Sequence, residues 1–281
     1  MLTTAGRTAQ GPRTTEDLAL HLRGHVLRMT AAGRSSHVAS ALSIADAVAV
    51  LYGGVMRHRP DDPGFPDRDR FILSKGHAGA IVYAALAESG YFPVTRLAEH
   101  CANGSALSGH VSHAGVPGVE LSTGSLGHGL SVAAGMALQA KRKGWPFRTY
   151  VAMGDGECAE GSVWEAAQFA AHHHLSGLVA IIDANRLQGL GRPDDVLACD
   201  PMAGKWRAFG WSVVEVDGHD HEQLEAALDV DPRVAARPRC VLAHTIKGKG
   251  VSFMEDDLAW HYRSPGPDEL TRALAELGLN R

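Results

Sequence analysis

The sequence predicts an α/β protein with a doubly wound, mainly parallel sheet and helices on both of its faces. Short apolar runs with the length of buried strands alternate along the chain with longer segments that have helical spacing. The clearest unit is an apolar run at 149–153, a helix-like segment at 161–174 and a second apolar run at 178–183. A strand, a helix and a strand in this order form one βαβ unit. The alternation continues on both sides of this unit and no linker interrupts it, which predicts a single domain.

The other predicted elements follow in chain order. The first helix has its apolar stripe at 15–30, and residues 1–14 are polar, so we expect a disordered N-terminus followed by one domain over 15–281. Loops are expected at 34–40, 103–124 and 188–199. Further helices are expected at 41–55, 78–89, 94–102, from just after Ser125 to 143, at 201–209, up to about 228 and at 267–277, and further strands at 70–74, 211–216 and 239–244.

Composition limits the classes of function. The chain has 281 residues, of which 45% are hydrophobic and 21% charged, and its formal net charge is −4. These values are typical of a soluble globular protein and give no support for nucleic-acid binding. No segment is apolar and long enough to span a membrane, and no signal peptide is apparent, so a cytoplasmic protein is expected. The four cysteines lack a C-x-x-C pair, which favours free thiols over a disulfide framework or a zinc site.

Polar residues follow the two strands of the central unit. Asp155 comes after the first strand between Gly154 and Gly156, and Asn185 comes after the second. The carboxyl ends of parallel strands meet at one edge of a sheet, where α/β proteins bind ligands. Carboxylate and amide oxygens suit Mg²⁺ or Ca²⁺, and the glycines would let the backbone approach a bulky anion. Taken alone, Gly-Asp-Gly is more typical of an ordinary strand-to-helix turn.

Four histidines lie in loops near predicted strand ends. They are His37, His77, His110 and His261. A single loop histidine is usually a solvated side chain or a hydrogen-bonding spacer, whereas four of them together suit a site that binds hydroxyl groups and moves protons near neutral pH. The helix start at 124–129 could hold an anion through its free N–H groups, or it could be an ordinary capped helix.

The central unit as a whole resembles the thiamine diphosphate signature. The features that carry this resemblance are Gly154-Asp155-Gly156 after a strand, the intervening residues 157–184 and then Asn185 after the next strand. The flanking residues resemble those of transketolases, namely Glu160-Gly161 and Leu187. The resemblance implies that Asp155, Asn185 and the Leu187 backbone carbonyl bind a Mg²⁺ ion that also holds the diphosphate of the cofactor.

Further motifs extend this resemblance from His37 to His261. They are Ser36-His37, the segment 70–77, Gly109-His110, the segment 117–127 and Trp260-His261, with departures from the usual family residues at Val38, Val111, Ser112 and His128. The catalytic residues that the resemblance implies are His37, His77, His110 and His261, which would contact substrate, and Glu160, which would reach across an interface. The implied cofactor contacts are Gly124, Ser125, Leu126, Gly154, Gly156, Glu157 and Lys247.

The resemblance covers only the diphosphate-binding domain of transketolases. It implies that a pyrimidine-binding domain, with the glutamate that activates the cofactor, belongs to another chain. We therefore expect the N-terminal subunit of a split transketolase, which forms an α2β2 assembly with a C-terminal transketolase subunit. This enzyme would transfer a two-carbon ketol unit from a ketose phosphate to an aldose. The alternatives are the alpha subunit of a thiamine-dependent 2-oxo acid dehydrogenase, an enzyme similar to 1-deoxyxylulose 5-phosphate synthase, or a non-catalytic cofactor-binding subunit.

Overall fold

A computed structural model describes residues 14–279. The expected disordered segment 1–14 lies outside the described residues, except for Thr14, whose side chain caps the first helix. None of the helices within the described range is both long and apolar enough to cross a membrane. The helices are α1 (Thr15–Gly33), α2 (Val38–Ser43), α3 (Ala45–Val50), α4 (Ala80–Glu88), α5 (Gly129–Lys143), α6 (Gly161–His172), α7 (Pro193–Val196), α8 (Met202–Ala208), α9 (His221–Leu228) and α10 (Pro267–Glu276).

Five strands form one sheet, and all of their pairings are parallel. The strands are β1 (Arg70–Leu73), β2 (Thr149–Gly154), β3 (Leu178–Ala184), β4 (Ser212–Asp217) and β5 (Arg239–His244). Their order across the sheet is β1-β2-β3-β5-β4. Each parallel connection requires a crossover, and the intervening segments supply it. The predicted βαβ unit is confirmed as β2, α6 and β3; β2 and β3 are neighbours in the sheet, and α6 packs on one of its faces.

Hydrophobic side chains fill the space on both faces of the sheet. Successive residues of β2 alternate between them, since Ala152 belongs to one buried cluster and Val151 to the other. The helices α1 to α4 and α9 contribute to the first cluster, and α5, α6 and α8 contribute to the second. A strand that is buried on both faces reads as a continuous apolar run, as β2 and β3 do in the sequence. The predicted doubly wound α/β fold is confirmed.

Several element boundaries differ from the prediction. The expected helix 41–55 is wrong as a single element, because α2 and α3 meet at Ile44 and a π-helical turn, Leu51–Val55, follows. The break coincides with polar contacts towards the sheet, since the Ser43 hydroxyl donates to Asp183 at 2.6 Å. Helix α2 begins inside the expected loop 34–40, and α7 lies inside the expected loop 188–199.

Helix α5 begins at Gly129, later than the sequence predicts. The reason is the conformation of Gly127, whose φ of +80° is not helical. Its N–H donates to the carboxylate of Glu157 at 2.9 Å instead of joining a helix. Residues 124–128 therefore form a turn that reaches over the ends of the central strands.

Candidate active site

A cavity of about 340 Å³ opens at the carboxyl ends of the central strands. Asp155 follows β2 and Asn185 follows β3, and the register pairs Gly154 with Asp183, so both loops start at the same level of the sheet. The predicted location at this edge agrees with where α/β proteins place ligands. The lining consists of His37, Ser40, Lys75, His77, His110, Gly124, Leu126, Gly154, Asp155, Gly156, Glu157, Asn185, Leu187, Gln188, Gly189, Lys247 and His261.

Backbone N–H groups hold the Asp155 carboxylate in place. Gly156 donates to Oδ1 and Arg186 donates to Oδ2, each at 2.7 Å. Burial, and next to it the charge of Asp183, raise the pKa of Asp155 above its usual value. A buried carboxylate beside another carboxylate is stabilised by a nearby cation. This position therefore fits a metal ion.

The turn after β3 brings Asn185 and Leu187 to the same cavity. Arg186 has a φ of +58°, and this left-handed residue turns the backbone sharply between its two neighbours. The Asn185 side chain accepts a hydrogen bond from the Leu187 N–H at 3.1 Å. A carboxylate, an amide oxygen and a backbone carbonyl are the hard ligands that Mg²⁺ accepts. The residues present thus fit the predicted ion.

Lys247 is a buried cation beside this group. Its Nζ donates to the Leu187 carbonyl at 2.6 Å and lies 2.7 Å from Nδ1 of His261. Burial, followed by the charge of Lys75, lowers the pKa of Lys247 to about 8. An ammonium group at this position suits an anionic ligand such as a diphosphate.

A second buried cation, Lys75, is held by Asp183. The Lys75 ammonium donates to the Asp183 carboxylate and to the Ser40 carbonyl, the latter at 2.9 Å. Asp183 also accepts from Ser43, from Asn185 at 3.1 Å and from Thr245. Although burial opposes it, the charge and hydrogen bond of Lys75 keep the pKa of Asp183 below its usual value.

Sequence reasoning missed this ion pair. The available signal was an aspartate at the end of the otherwise apolar run of β3, because a buried charge in a strand requires a partner. Its partner could not be identified, since Lys75 is 108 residues away in sequence and is contributed by the loop after β1.

The four histidines come together on one side of the cavity. The ring centroid of His37 lies 5.0 Å from that of His77, 6.0 Å from His110 and 4.8 Å from His261. The N–H of His37 donates to the His261 carbonyl at 3.0 Å, which joins α2 to the segment before α10. Nδ1 of His37 is buried and has no hydrogen-bond partner among residues 14–279, so its hydrogen-bonding capacity is not used within this part of the chain.

Burial keeps three of these imidazoles neutral. It lowers the pKa of His37 to about 4 and that of His261 to about 3, with further lowering by His110 and Lys247 respectively. Burial also lowers the pKa of His77 well below its usual value. A neutral imidazole has one nitrogen that donates and one that accepts, which is what binding a sugar hydroxyl requires.

Glu157 connects the loops of the site. Its carboxylate accepts from the Gly127 N–H at 2.9 Å, from the Gly154 N–H at 3.3 Å and from the Ser74 hydroxyl. Burial raises the pKa of Glu157. These contacts use much of its hydrogen-bonding capacity inside the protein, so its contribution is to position the glycine turns around the cavity.

The close packing of the loops around the cavity depends on two glycines. A Cβ atom at Gly156 would lie 2.6 Å from Cδ of Gln188, and one at Gly124 would lie 3.0 Å from the His110 ring. Nε2 of Gln188 is buried without a hydrogen-bond partner in the part of the chain that is described. The two glycines thus let the loops of the cavity pack closely against the side chains of Gln188 and His110.

Two predicted site residues do not line the cavity. Ser125 is exposed on the turn before α5. Glu160 is exposed at the N-cap of α6, its side chain does not cap that helix, and it lies beside Gly127. Neither side chain belongs to the lining of the cavity in this chain.

A larger groove of about 800 Å³ lies at the opposite end of the strands. Its arginines are already paired, Arg57 and Arg148 with Asp69, and Arg233 with Asp231. The smaller cavity is the candidate active site, because it combines histidines, lysines, hard oxygen ligands and unused polar atoms.

The fold is that of a thiamine diphosphate-binding domain of the transketolase type. The family model "Transketolase, thiamine diphosphate binding domain" matches residues 16–281. This chain belongs to the transketolase family, and the expectation of an N-terminal transketolase subunit is confirmed.

Relatives of similar length are components of transketolases. A 6-deoxy-6-sulfo-D-fructose transketolase subunit of a Clostridium species is 42% identical over 241 residues, covering 86% of this chain and 88% of the relative. An apulose-4-phosphate transketolase subunit of Actinobacillus succinogenes is 43% identical over 242 residues, covering 86% and 87%. These similarities favour the transketolase hypothesis over the alternatives.

Solved transketolase structures share the fold. Transketolase from Leishmania mexicana superposes with a TM-score of 0.88 at 31% identity, covering 94% of this chain and 41% of that one. This chain therefore spans about two fifths of the length of that transketolase.

Proposed function

We propose that this chain binds the diphosphate of thiamine diphosphate through Mg²⁺ and forms half of an active site completed by a partner chain. The observation that carries the proposal is the convergence of Asp155, Asn185 and the Leu187 carbonyl on one cavity. Asp155, Asn185 and Leu187 would hold the ion. Lys247 would bind the diphosphate together with backbone N–H groups near Gly156.

The histidines would form the substrate side of the site. Thiamine diphosphate, when bound, supplies the carbon nucleophile and electron sink for breaking a carbon–carbon bond next to a ketone. His37, His77, His110 and His261 would bind the hydroxyl groups of a ketose phosphate and an aldose. Since three of them are held neutral by burial, they can each accept a proton at one nitrogen and donate at the other. The proposed reaction is the transfer of a two-carbon ketol unit.

The partner would be a C-terminal transketolase subunit with the pyrimidine-binding domain, in an α2β2 assembly in the cytoplasm. Two observations support this partner. The relatives that this chain covers over 87–88% of their length are named as subunits, whereas it covers only 41% of a solved transketolase. Glu160 is exposed at the start of α6, beside the turn at Gly127, and is therefore accessible to a second chain. Through this contact Glu160 would support the activating glutamate of the partner.

The test is calorimetric titration of thiamine diphosphate with Mg²⁺, first into this chain and then into its mixture with the product of the neighbouring reading frame. We expect weak binding to the chain alone and tight binding to the mixture, accompanied by ketol transfer from a ketose phosphate. Omission of Mg²⁺ provides the control. Ketose phosphate turnover by this chain alone would contradict the half-site, and absence of cofactor binding in both samples would contradict the assignment of Asp155 and Asn185.

A further inference from the structure

Asp46 is a buried carboxylate outside the cavity, and it accepts four hydrogen bonds. Arg23 donates through two nitrogens at 2.9 and 2.5 Å, His219 contributes Nδ1 at 2.6 Å and His221 contributes Nε2 at 3.1 Å. Burial alone would raise the pKa of Asp46, but the hydrogen bonds from His219, His221 and Arg23 outweigh it and hold the pKa well below its usual range. Asp46, a residue of α3, is thus a fixed anion that faces α1 and the start of α9.

His219 connects this anion to the loop after β5. Its Nε2 lies 2.9 Å from the backbone nitrogen of Ile246. A backbone N–H can only donate, so Nε2 is the acceptor and the proton of the neutral ring is on Nδ1, where it is donated to Asp46. The imidazole therefore connects the buried carboxylate of Asp46 to the Ile246 peptide group through one hydrogen bond on each ring nitrogen.

Arg23 provides a second connection to the same loop. Its Nε donates to the Lys249 carbonyl at 3.2 Å, while its two terminal nitrogens bind Asp46. The loop is thus held on both sides of Lys247, at Ile246 and at Lys249. The close packing of Gly218 against this region strengthens the link, since a Cβ atom there would lie 2.4 Å from the Thr245 side chain.

We infer that His219 is a positioning residue that aims Lys247 into the cavity. The side chain of Lys247 is long and buried, and its Nζ donates to the Leu187 carbonyl, so the direction of the side chain depends on the position of the loop backbone. Ordering such a side chain costs conformational entropy, which the two connections reduce by fixing its backbone in advance. The consequence for function rests on the proposed role of Lys247 at the diphosphate.

His221 supplies a matched control. It also binds Asp46, but its other ring nitrogen lies 2.8 Å from Oγ1 of Thr15 and not on the loop. Removing either histidine takes one hydrogen bond from the same carboxylate. Only the loss of His219 also releases the Ile246 N–H.

The experiment is amide hydrogen exchange of the full chain, followed by mass spectrometry of peptides covering 244–250. His219→Asn keeps a donor near Asp46 and loses the acceptor for Ile246, so exchange in this loop should accelerate by about tenfold or more. His221→Ala should leave exchange there unchanged. His219→Gln, whose amide oxygen can reach the position of Nε2, should restore part of the protection. Unchanged exchange in His219→Asn, or equal acceleration in His221→Ala, would overturn the inference.

Cofactor affinity in the assembled enzyme gives the functional readout. His219→Asn should raise the apparent Kd for thiamine diphosphate by about five- to tenfold with little change in kcat at saturating cofactor, because it disturbs a binding group. In a Lys247→Ala background the same change should have no further effect. An additive effect in that background would contradict action through Lys247. If the unmodified assembly binds no cofactor, the proposed function fails, while the exchange data still decide the connection between His219 and the loop.

Discussion

Asp155 and Arg186 are joined by a hydrogen bond of 2.7 Å from the Arg186 N–H to Oδ2 of Asp155, across 31 residues of sequence. This contact connects the end of β2 to the left-handed turn after β3. It orients the carboxylate before any ion binds and places it beside Asn185 and Leu187. The candidate metal site is therefore largely preorganised by the backbone.

Asp155→Asn should strongly weaken Mg²⁺-dependent cofactor binding while leaving the fold intact. The amide retains an oxygen that can accept from the Arg186 N–H, but it loses the acceptor for the Gly156 N–H and the charge that attracts the ion. We expect the affinity of the assembled enzyme for thiamine diphosphate to fall by at least about 100-fold, as measured by calorimetry. Asp195→Asn, at an exposed position on α7, should have no effect. Wild-type affinity in Asp155→Asn would contradict the metal assignment.

Asp183→Asn should destabilise the chain by about 3–5 kcal/mol, because it leaves the buried Lys75 ammonium without its counterion. Urea unfolding at neutral pH gives the free energy of unfolding. Lys75→Met in the same protein removes the cation, so the double variant should lose less than the sum of the two single variants. Strict additivity would mean that the two side chains do not stabilise each other.

Gly76→Ala and Gly135→Ala should shift stability in opposite directions. A Cβ atom at Gly76 would lie 2.5 Å from the Thr123 carbonyl carbon and hydroxyl oxygen, so we expect a loss of about 1–3 kcal/mol. Gly135 lies within α5 and has open space around it, so alanine there should add about 0.5–1 kcal/mol by favouring the helix. Thermal unfolding of both variants checks the signs, and a neutral Gly76→Ala would show that the turn can move away.

The imidazole of His37 should titrate near pH 4. Burial, with the charges of His110 and Lys247, lowers its pKa from 6.5 to about 4. Between these values the unfolded chain binds more protons than the folded one, so the contribution of His37 is complete above pH 6.5 and is lost as the pH falls towards 4. NMR titration of the ring protons, assigned with His37→Asn, gives the midpoint. A midpoint near 6.5 would contradict the burial argument, and His37→Asn should make stability less sensitive to acid in this range.

Much of the fold could be predicted from local patterns. The apolar runs of β2 and β3 are continuous because both faces of these strands are buried, and their length distinguishes them from helices. The break between α2 and α3 at Ile44 could not be predicted in this way, because every residue around it is buried and no Gly or Pro marks it. The late start of α5 depends on the contact between Gly127 and Glu157, which sequence spacing does not reveal.

By itself, the sequence determined the βαβ unit and the placement of Asp155 and Asn185 at two strand ends, since strand length, turn residues and parallel order are local properties of the chain. Only the tertiary structure decided which charges pair. Lys75 forms an ion pair with Asp183, and His219 connects Asp46 to the Ile246 peptide. These partners are far apart in sequence, so no local pattern predicts their contacts. The physical reason is that a buried charge or donor is satisfied by whichever group the packed fold brings within hydrogen-bonding distance, and this proximity exists only once the sheet and its helices are assembled.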